Sequence, residues 1–455
     1  MSRFWTLSGA VASAVSLAIV GLALRASAKP SGFVSTRVES AAPDLGFRGA
    51  GSCAASACHG GVEPVPATVS QALRNEHTTW VTSDPHAGAY DVLLGERSRS
   101  IARNLGKKSH KIIEAHLDAR CLACHSTPSA TKETSRADGV SCESCHGASG
   151  NWLSEHTTID WKQRDKASTG FRNMKDLRSR APTCAGCHIG APANPELGLP
   201  ARDMNHDFIA AGHPRLNWEF SAYSANSIKH WRIPAVEAAD LDARLWMTGQ
   251  VASMIAALDL LTARADLAIA KTGPWPELSE YGCFSCHFAL KDKLRQDNRD
   301  PEVPLGMPAW GSWNVPMLKQ LAKVDPGAPL IEPLKELRAE MAKLRTDPKK
   351  VKDFVAALRI PLEQWLSSRT DRPLTAGEVT ALINALRSQA PDGKGPIITG
   401  WDSAAQAYLG LAALRASQRK LDPPNADTKL EAELKLMHDQ LGFKPGYDSP
   451  RDDEK

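Results

Sequence analysis

Ten cysteines fall in five pairs, and a histidine follows each pair at once. Four of them are CLACH (Cys121, Cys124, His125), CESCH (Cys142, Cys145, His146), CAGCH (Cys184, Cys187, His188) and CFSCH (Cys283, Cys286, His287). The first pair is stretched to Cys53-AASA-Cys58-His59, and no cysteine is left over. Disulfides are the first expectation for an exported chain, and two CxxC pairs could make a four-thiolate zinc site. Neither explains a histidine after every pair. CxxCH is the attachment signature of haem c. One turn of chain presents two thiols to the two vinyl groups of a porphyrin, and the next residue places an imidazole at its iron. The expectation is five covalently attached haems c, with proximal ligands His59, His125, His146, His188 and His287. In the stretched motif two extra residues must bulge, which Gly60-Gly61 could permit, and single attachment through Cys58 remains an alternative.

Such cofactors change how the composition reads. Aromatic residues make up only 6% of the 455-residue chain, while 30 Pro and 32 Gly interrupt regular structure. Porphyrins then supply part of the core. With 23% charged and 42% hydrophobic residues, the chain is unlike a disordered tail or a polytopic membrane protein. A formal charge of +4 leaves no footprint for nucleic acid. Residues 1–28 carry Arg3, an apolar run from Trp5 to Leu24 and Ala26-Ser27-Ala28, the pattern of an export signal. This predicts a periplasmic or otherwise exported protein, tethered to the membrane only if the segment stays uncleaved. Without Arg3 and Arg25, and with five ferric haems and their propionates, the formal charge becomes about −3.

Nine of the 14 histidines are not proximal. Eight of them, His77, His86, His110, His116, His156, His206, His213 and His230, lie between the first and last motifs, and only His438 follows His287. That clustering points to distal ligation, with Met204 as an alternative sixth ligand. His206 and His213 are seven residues apart, but Gly212 and Pro214 make a continuous helix unlikely to hold both, so each should face a different porphyrin.

The stretch from Cys53 to His188, with WVTSDPHAGAY and GVSCESCHGASGNWLSEH between motifs, resembles the tetrahaem cytochrome c-554 family of electron acceptors in hydroxylamine oxidation. More loosely it resembles the multihaem group of hydroxylamine oxidoreductase and pentahaem nitrite reductase. The resemblance implies that His86 ligates the haem on His146, that His156 ligates the haem on His59, and that the haem on His125 lacks a sixth ligand. The fourth and fifth haems would then draw on His206 and His213, with His230 in reserve. The chain departs from the family in its stretched first motif, its fifth motif and a long haem-free tail. It has no CxxCK, the nitrite-reductase signature.

The expected fold is mainly α with little β. Residues 29–235 form a multihaem core of short helices and loops, within which Ser98–Leu117 is the best helical stretch. Residues 29–48 read as an extended polar leader. Residues 236–300 hold a long helix, whose Met247, Val251, Met254, Leu258, Leu261 and Ala265 mark one face, and then the fifth motif. Residues 301–455 form a haem-free helical bundle with five amphipathic segments. Pro361 should end or kink the second segment, and Thr428-x-x-Glu431 should cap the last. The predicted function is electron transfer between redox partners such as other cytochromes and quinol-linked or periplasmic oxidoreductases. The alternative is an oxidoreductase acting on a small nitrogen or sulfur species at one five-coordinate haem, with Arg215, Arg103, Lys107 and His116 as candidate charge stabilisers.

Overall fold

The computed structural model describes residues 46–128, 136–234, 238–287, 303, 306–315, 317–324, 331–387, 400–425 and 427–442. The export segment and most of the polar leader lie outside the described residues. Among the described residues the protein is mainly α: fourteen helices, and one antiparallel two-stranded sheet pairing Gly190–Ala191 with Arg202–Asp203. No described helix is long and apolar enough to cross a membrane.

The first seven helices are short. They are α1 (Glu76–Ser83), α2 (Glu96–Ser109), α3 (Ala119–His125), α4 (Cys142–His146), α5 (Leu177–His188), α6 (His206–Ala211) and α7 (Phe220–Asn226). The long helix α8 spans Leu241–Ile269, and six more follow: α9 (Leu318–Val324), α10 (Ile331–Met341), α11 (Pro348–Arg369), α12 (Ala376–Arg387), α13 (Trp401–Leu421) and α14 (Thr428–Leu441).

Helix α8 organises the whole. Its 29 residues extend about 43 Å, and apolar side chains cover nearly all its circumference, as expected of a helix enclosed on every side. Met247, Val251, Met254, Leu258 and Leu261 pack with Leu337, Leu358, Leu382 and Leu414 from the C-terminal helices. Leu245 and Ala252 face the other way, against Leu177, Ala181 and Ala185 of α5 and Phe220 of α7. Because α5 carries the fourth CxxCH, α8 joins the motif-bearing region to the C-terminal helices.

Several boundaries differ from expectation for local reasons. Helix α2 stops at Ser109, where His110 turns left-handed (φ 54°), and the chain resumes as a short turn at Ala115–Leu117. Pro361 sits inside α11 without ending it. Leu358, Leu362 and Trp365 are buried around it, and burial of roughly 1.5–3 kcal/mol per side chain outweighs a proline penalty of about 3 kcal/mol. Thr428 does not cap α14. Asp427 does, accepting from the N–H groups of Lys429 and Leu430, and Gly442 ends the helix with φ 67°. Leu344, expected on the apolar face of the first tail segment, lies beyond α10 and is 90% exposed.

Two glycines allow close approach to α8. A Cβ on Gly249 would lie 2.5 Å from Phe220 Cβ, and one on Gly410 would lie 2.6 Å from Trp246 Nε1. At an exposed helical site Gly→Ala gains about 1 kcal/mol, but overpacking reverses the sign here. Gly249→Ala and Gly410→Ala are each expected to destabilise the protein by about 1–2 kcal/mol. Thermal unfolding checks this, and an unchanged or raised midpoint contradicts it.

Candidate haem-binding sites

The motifs are held at helix ends. Helices α3 and α5 each begin with Asp-x-Arg and end on the proximal histidine. Asp118 accepts the Arg120 N–H at 2.9 Å, and Asp176 accepts the Arg178 N–H at 2.9 Å. Burial opposes the Asp118 carboxylate, but Arg120 outweighs it through guanidinium and backbone N–H bonds and holds its pKa below the usual value. The third motif is the whole of α4. In the first motif, a side chain on Gly60 would run into the Ala54 carbonyl, so glycine lets the two-residue bulge close.

Four proximal histidines face a second imidazole from a distant part of the chain. Ring centres are 6.1 Å apart for His59 and His156, 6.1 Å for His86 and His188, 6.5 Å for His125 and His213, and 6.3 Å for His206 and His287. Two iron–imidazole bonds of roughly 2 Å each, with the radii of the two rings, require about 6 Å. The residues therefore fit a bis-imidazole iron at each pair. Ring planes are near parallel for His59/His156 (15°) and His206/His287 (22°), and near perpendicular for His86/His188 (83°) and His125/His213 (78°).

The outward ring nitrogens support the same arrangement. Nδ1 donates to Glu76 in His59 (2.9 Å), to Asp84 in His86 (2.9 Å), and to the carbonyls of Ala89 in His125 (2.9 Å), Leu153 in His156 (2.6 Å) and Pro214 in His213 (2.8 Å). Each bond orients the ring and leaves Nε2 free for a metal. Ligation also needs neutral imidazole. Burial pushes His146 and His188 down to about 4 and lowers His125, His213 and His230. His59 and His86 are raised instead, first by their hydrogen bonds to Glu76 and Asp84.

These pairs correct two expectations. His86 lies across from His188, not His146. His213 lies across from His125, placed there by a break in the chain. Helix α6 ends at Ala211, Gly212 adopts φ 114°, and two α2 side chains hold the turn: Asn104 donates to the Ala211 carbonyl (3.0 Å) and Arg97 to that of Gly212 (3.0 Å). His206 and His213 thus lie in different imidazole pairs. His156 faces His59 as the resemblance implies. His146 has Phe171 beside it (5.8 Å), and after burial the largest influence on its pKa is the charge of His230.

The remaining candidates sit elsewhere. His77 packs on Trp80, His110 terminates α2 and His116 lies in the turn after it. Met204 lines a cavity of about 70 Å³ with Ile209 and Trp313. Arg215 pairs with Asp402 of α13 (2.8 Å), Arg103 with Glu96 (2.9 Å), and Lys107 bonds Asn104 (3.1 Å).

Electrostatic coupling between thiols of different motifs orders the sites. Cys142 of the third motif pushes Cys53 of the first down to about 6. Cys145 of the third is electrostatically coupled to Cys184 and Cys187 of the fourth. Cys187 is in turn coupled to Cys124 of the second. Helix α6 then joins second to fifth, with His213 just past one end and His206 at the other. Among the described residues, no three His, Cys, Asp or Glu converge on one ion, so the four-thiolate alternative is not formed there.

Sequence reasoning missed the carboxylates behind the ligands. Glu76 and Asp84 orient His59 and His86. Glu143, inside the third motif, is 1% exposed and accepts the backbone N–H groups of Arg48 (3.0 Å), Gly49 (2.8 Å) and Ser149 (2.8 Å). It ties the chain leading into the first motif to the loop leaving the third. An acid inside CxxCH was the available signal.

Residues 53–147 match the family described as cytochrome c554 and c-prime. No curated protein and no solved structure matches the chain.

Asp118→Ala removes both the cap of α3 and the ion pair with Arg120. It should cost about 1–2 kcal/mol at pH 7. Because the folded pKa of Asp118 is depressed, its contribution is present above the unfolded value and is lost as pH falls through the folded one. Chemical unfolding across pH should show parent and variant converging in acid; a gap that persists there contradicts this account.

Proposed function

We propose that this chain, a multihaem c-type cytochrome whose residues 53–147 are of the cytochrome c554 type, carries electrons between redox partner proteins through five haems with two imidazoles on each iron. The observation that carries this reading is the set of four imidazole pairs at 6.1–6.5 Å, each with one member following a CxxCH or stretched motif. Haem c supplies reversible one-electron storage at iron. The protein's residues do the rest. The ten cysteines attach, the paired imidazoles saturate both axial positions, and the Nδ1 bonds to Glu76, Asp84 and backbone carbonyls fix His59, His86, His125, His156 and His213 so that these rings need not move when charge changes. Saturated axial positions favour electron transfer over substrate binding.

At the third site the sixth ligand is assigned to His230, which is half-buried with its Nδ1 enclosed and acts electrostatically on His146. The enzymatic alternative, a small nitrogen or sulfur species bound at a five-coordinate iron, holds only if His230 leaves that site open. Residues 1–28 act as an export signal, which places the mature chain in the periplasm, where the partners are other cytochromes and quinol-linked or periplasmic oxidoreductases. Residues 29–235 form the four-haem core, 236–300 add the fifth haem and the long helix, and 301–455 support them without cofactor.

A pyridine haemochrome assay should give five haems per chain; fewer would refute the cofactor count. In the oxidised protein, EPR should show only low-spin iron, in two classes. Near-parallel imidazoles lift the near-degeneracy of the iron dπ orbitals more than perpendicular ones. His59/His156 and His206/His287 therefore predict rhombic signals, and His86/His188 and His125/His213 predict signals of large g anisotropy. High-spin iron perturbed by nitrite or cyanide would favour the enzymatic alternative. His213→Ala should convert one of the anisotropic signals to high spin, and a spectrum unchanged by that substitution contradicts the pairing with His125.

A further inference from the structure

The middle of the series of sites holds two arginines, Arg202 and Arg172, that form no ion pair with a carboxylate among the described residues. Arg202, on the second strand of the small sheet, reaches back over the fourth motif. Its Nη1 donates to Cys187 Sγ at 3.5 Å, and its Nε is buried without a hydrogen-bond partner. The guanidinium lies against Gly186 inside CAGCH: a Cβ there would be 3.4–3.6 Å from its terminal atoms. Cys124 of the second motif also feels the Arg202 charge. The adjacent Asp203 offers no compensation, because it is committed to Arg264.

A second cation, Arg172, also acts on Cys187. Arg172 donates to the Ser144 carbonyl at 2.6 Å within the third motif, and its charge acts on Cys145 and Cys187. Both arginines pair only with backbone carbonyls or sulfur among the described residues. Arg264 and Arg215 are by contrast matched by carboxylates, Arg264 by Asp203 and Glu280 and Arg215 by Asp402. Arg202 is half-buried with its Nε enclosed; an uncompensated charge is costly to bury, so its retention beside the second and fourth motifs calls for a role.

We infer that Arg202 is a positioning and tuning residue that raises the reduction potentials of the haems attached at the second and fourth motifs. The thiols of Cys187 and Cys124 stand for the thioether sulfurs of the attached cofactors. A guanidinium that donates to one sulfur and lies near the other favours the state with one electron more, because net charge and hydrogen bonding at the ligating periphery set the potential. This rests on the bis-imidazole reading above and adds to it an uneven potential along the series, with the inner second and fourth sites favoured for electrons. The full carboxylate complement of Arg264, beside the fifth motif, leaves no such excess there.

The test is a spectroelectrochemical titration of the full-length haem-loaded protein and its variants. In Arg202→Gln the second and fourth haems should titrate at more negative potential, with their ferrous-to-ferric ratio at fixed potential reduced on the order of tenfold, while the other haems are little changed. Arg202→Lys, which keeps the charge, should restore most of that ratio. A merely structural role would move neither in this charge-dependent way. Parent potentials in Arg202→Gln at full haem content and with unchanged low-spin spectra would overturn this inference while leaving the bis-imidazole reading intact. High-spin iron at the paired sites of the parent protein would sink that reading instead. Should Arg202→Gln load fewer haems than the parent, Arg172→Gln is titrated in its place. A negative shift at the third and fourth haems supports the tuning role of this cluster, and no shift overturns it.

Discussion

Each of the four imidazole pairs joins residues far apart in the chain, and the rest of the structure is arranged around that crossed pairing. None of the paired histidines is a sequence neighbour of its partner. Linking two points about a hundred residues apart restricts the unfolded chain by roughly 4–5 kcal/mol, so several crossed links can hold together a region whose helices are mostly too short to be stable alone. This explains how residues 46–234, rich in turns and five- to eight-residue helices, pack beside a conventional apolar core. The side chains behind the ligands serve the same end. Glu76 and Asp84 fix two rings, Glu143 gathers backbone N–H groups from both sides of the third motif, and Asp caps start the helices that end in His125 and His188.

Helix α8 supplies what the crossed links do not. It is apolar on both sides, with Gly249 and Gly410 admitting Phe220 and Trp246 to close contact. Through α5 it supports the fourth motif, and through Arg264 it reaches Asp203 and Glu280, next to the small sheet and the fifth motif. The C-terminal helices thus have a structural role although they carry no cofactor chemistry: they give α8 a second apolar surface to be buried against. Arg215 shows the same division of labour. Considered alone as a cation near His213, it suggested charge stabilisation at an open iron; in the folded chain it is committed to Asp402 of α13.

The readable part of the sequence was the part with short-range grammar. CxxCH spacing defines thiols and proximal imidazoles within five residues, and the three- and four-residue steps of Met247 to Leu261 mark a helical face that is buried as expected. The pairing of imidazoles depends on tertiary placement. The break after Ala211 separates His206 from His213 in the fold, but spacing could not say that His213 would meet His125, because that depends on Arg97 and Asn104 holding the end of α6. His86 was assigned by resemblance and lies opposite His188 instead. Pro361 and Thr428 show the complementary limit, where local rules yielded to core burial in one case and to the neighbouring Asp427 in the other.

The central claim is that the chain folds around five irons held in a definite series of histidine cages. X-ray diffraction at the iron absorption edge tests it most directly. The account predicts five anomalous peaks in each chain: one midway between each of His59/His156, His125/His213, His86/His188 and His206/His287, and a fifth between His146 and His230, in the spatial order first, third, fourth, second, fifth. Fewer peaks, or an iron seated away from a paired imidazole, would contradict it.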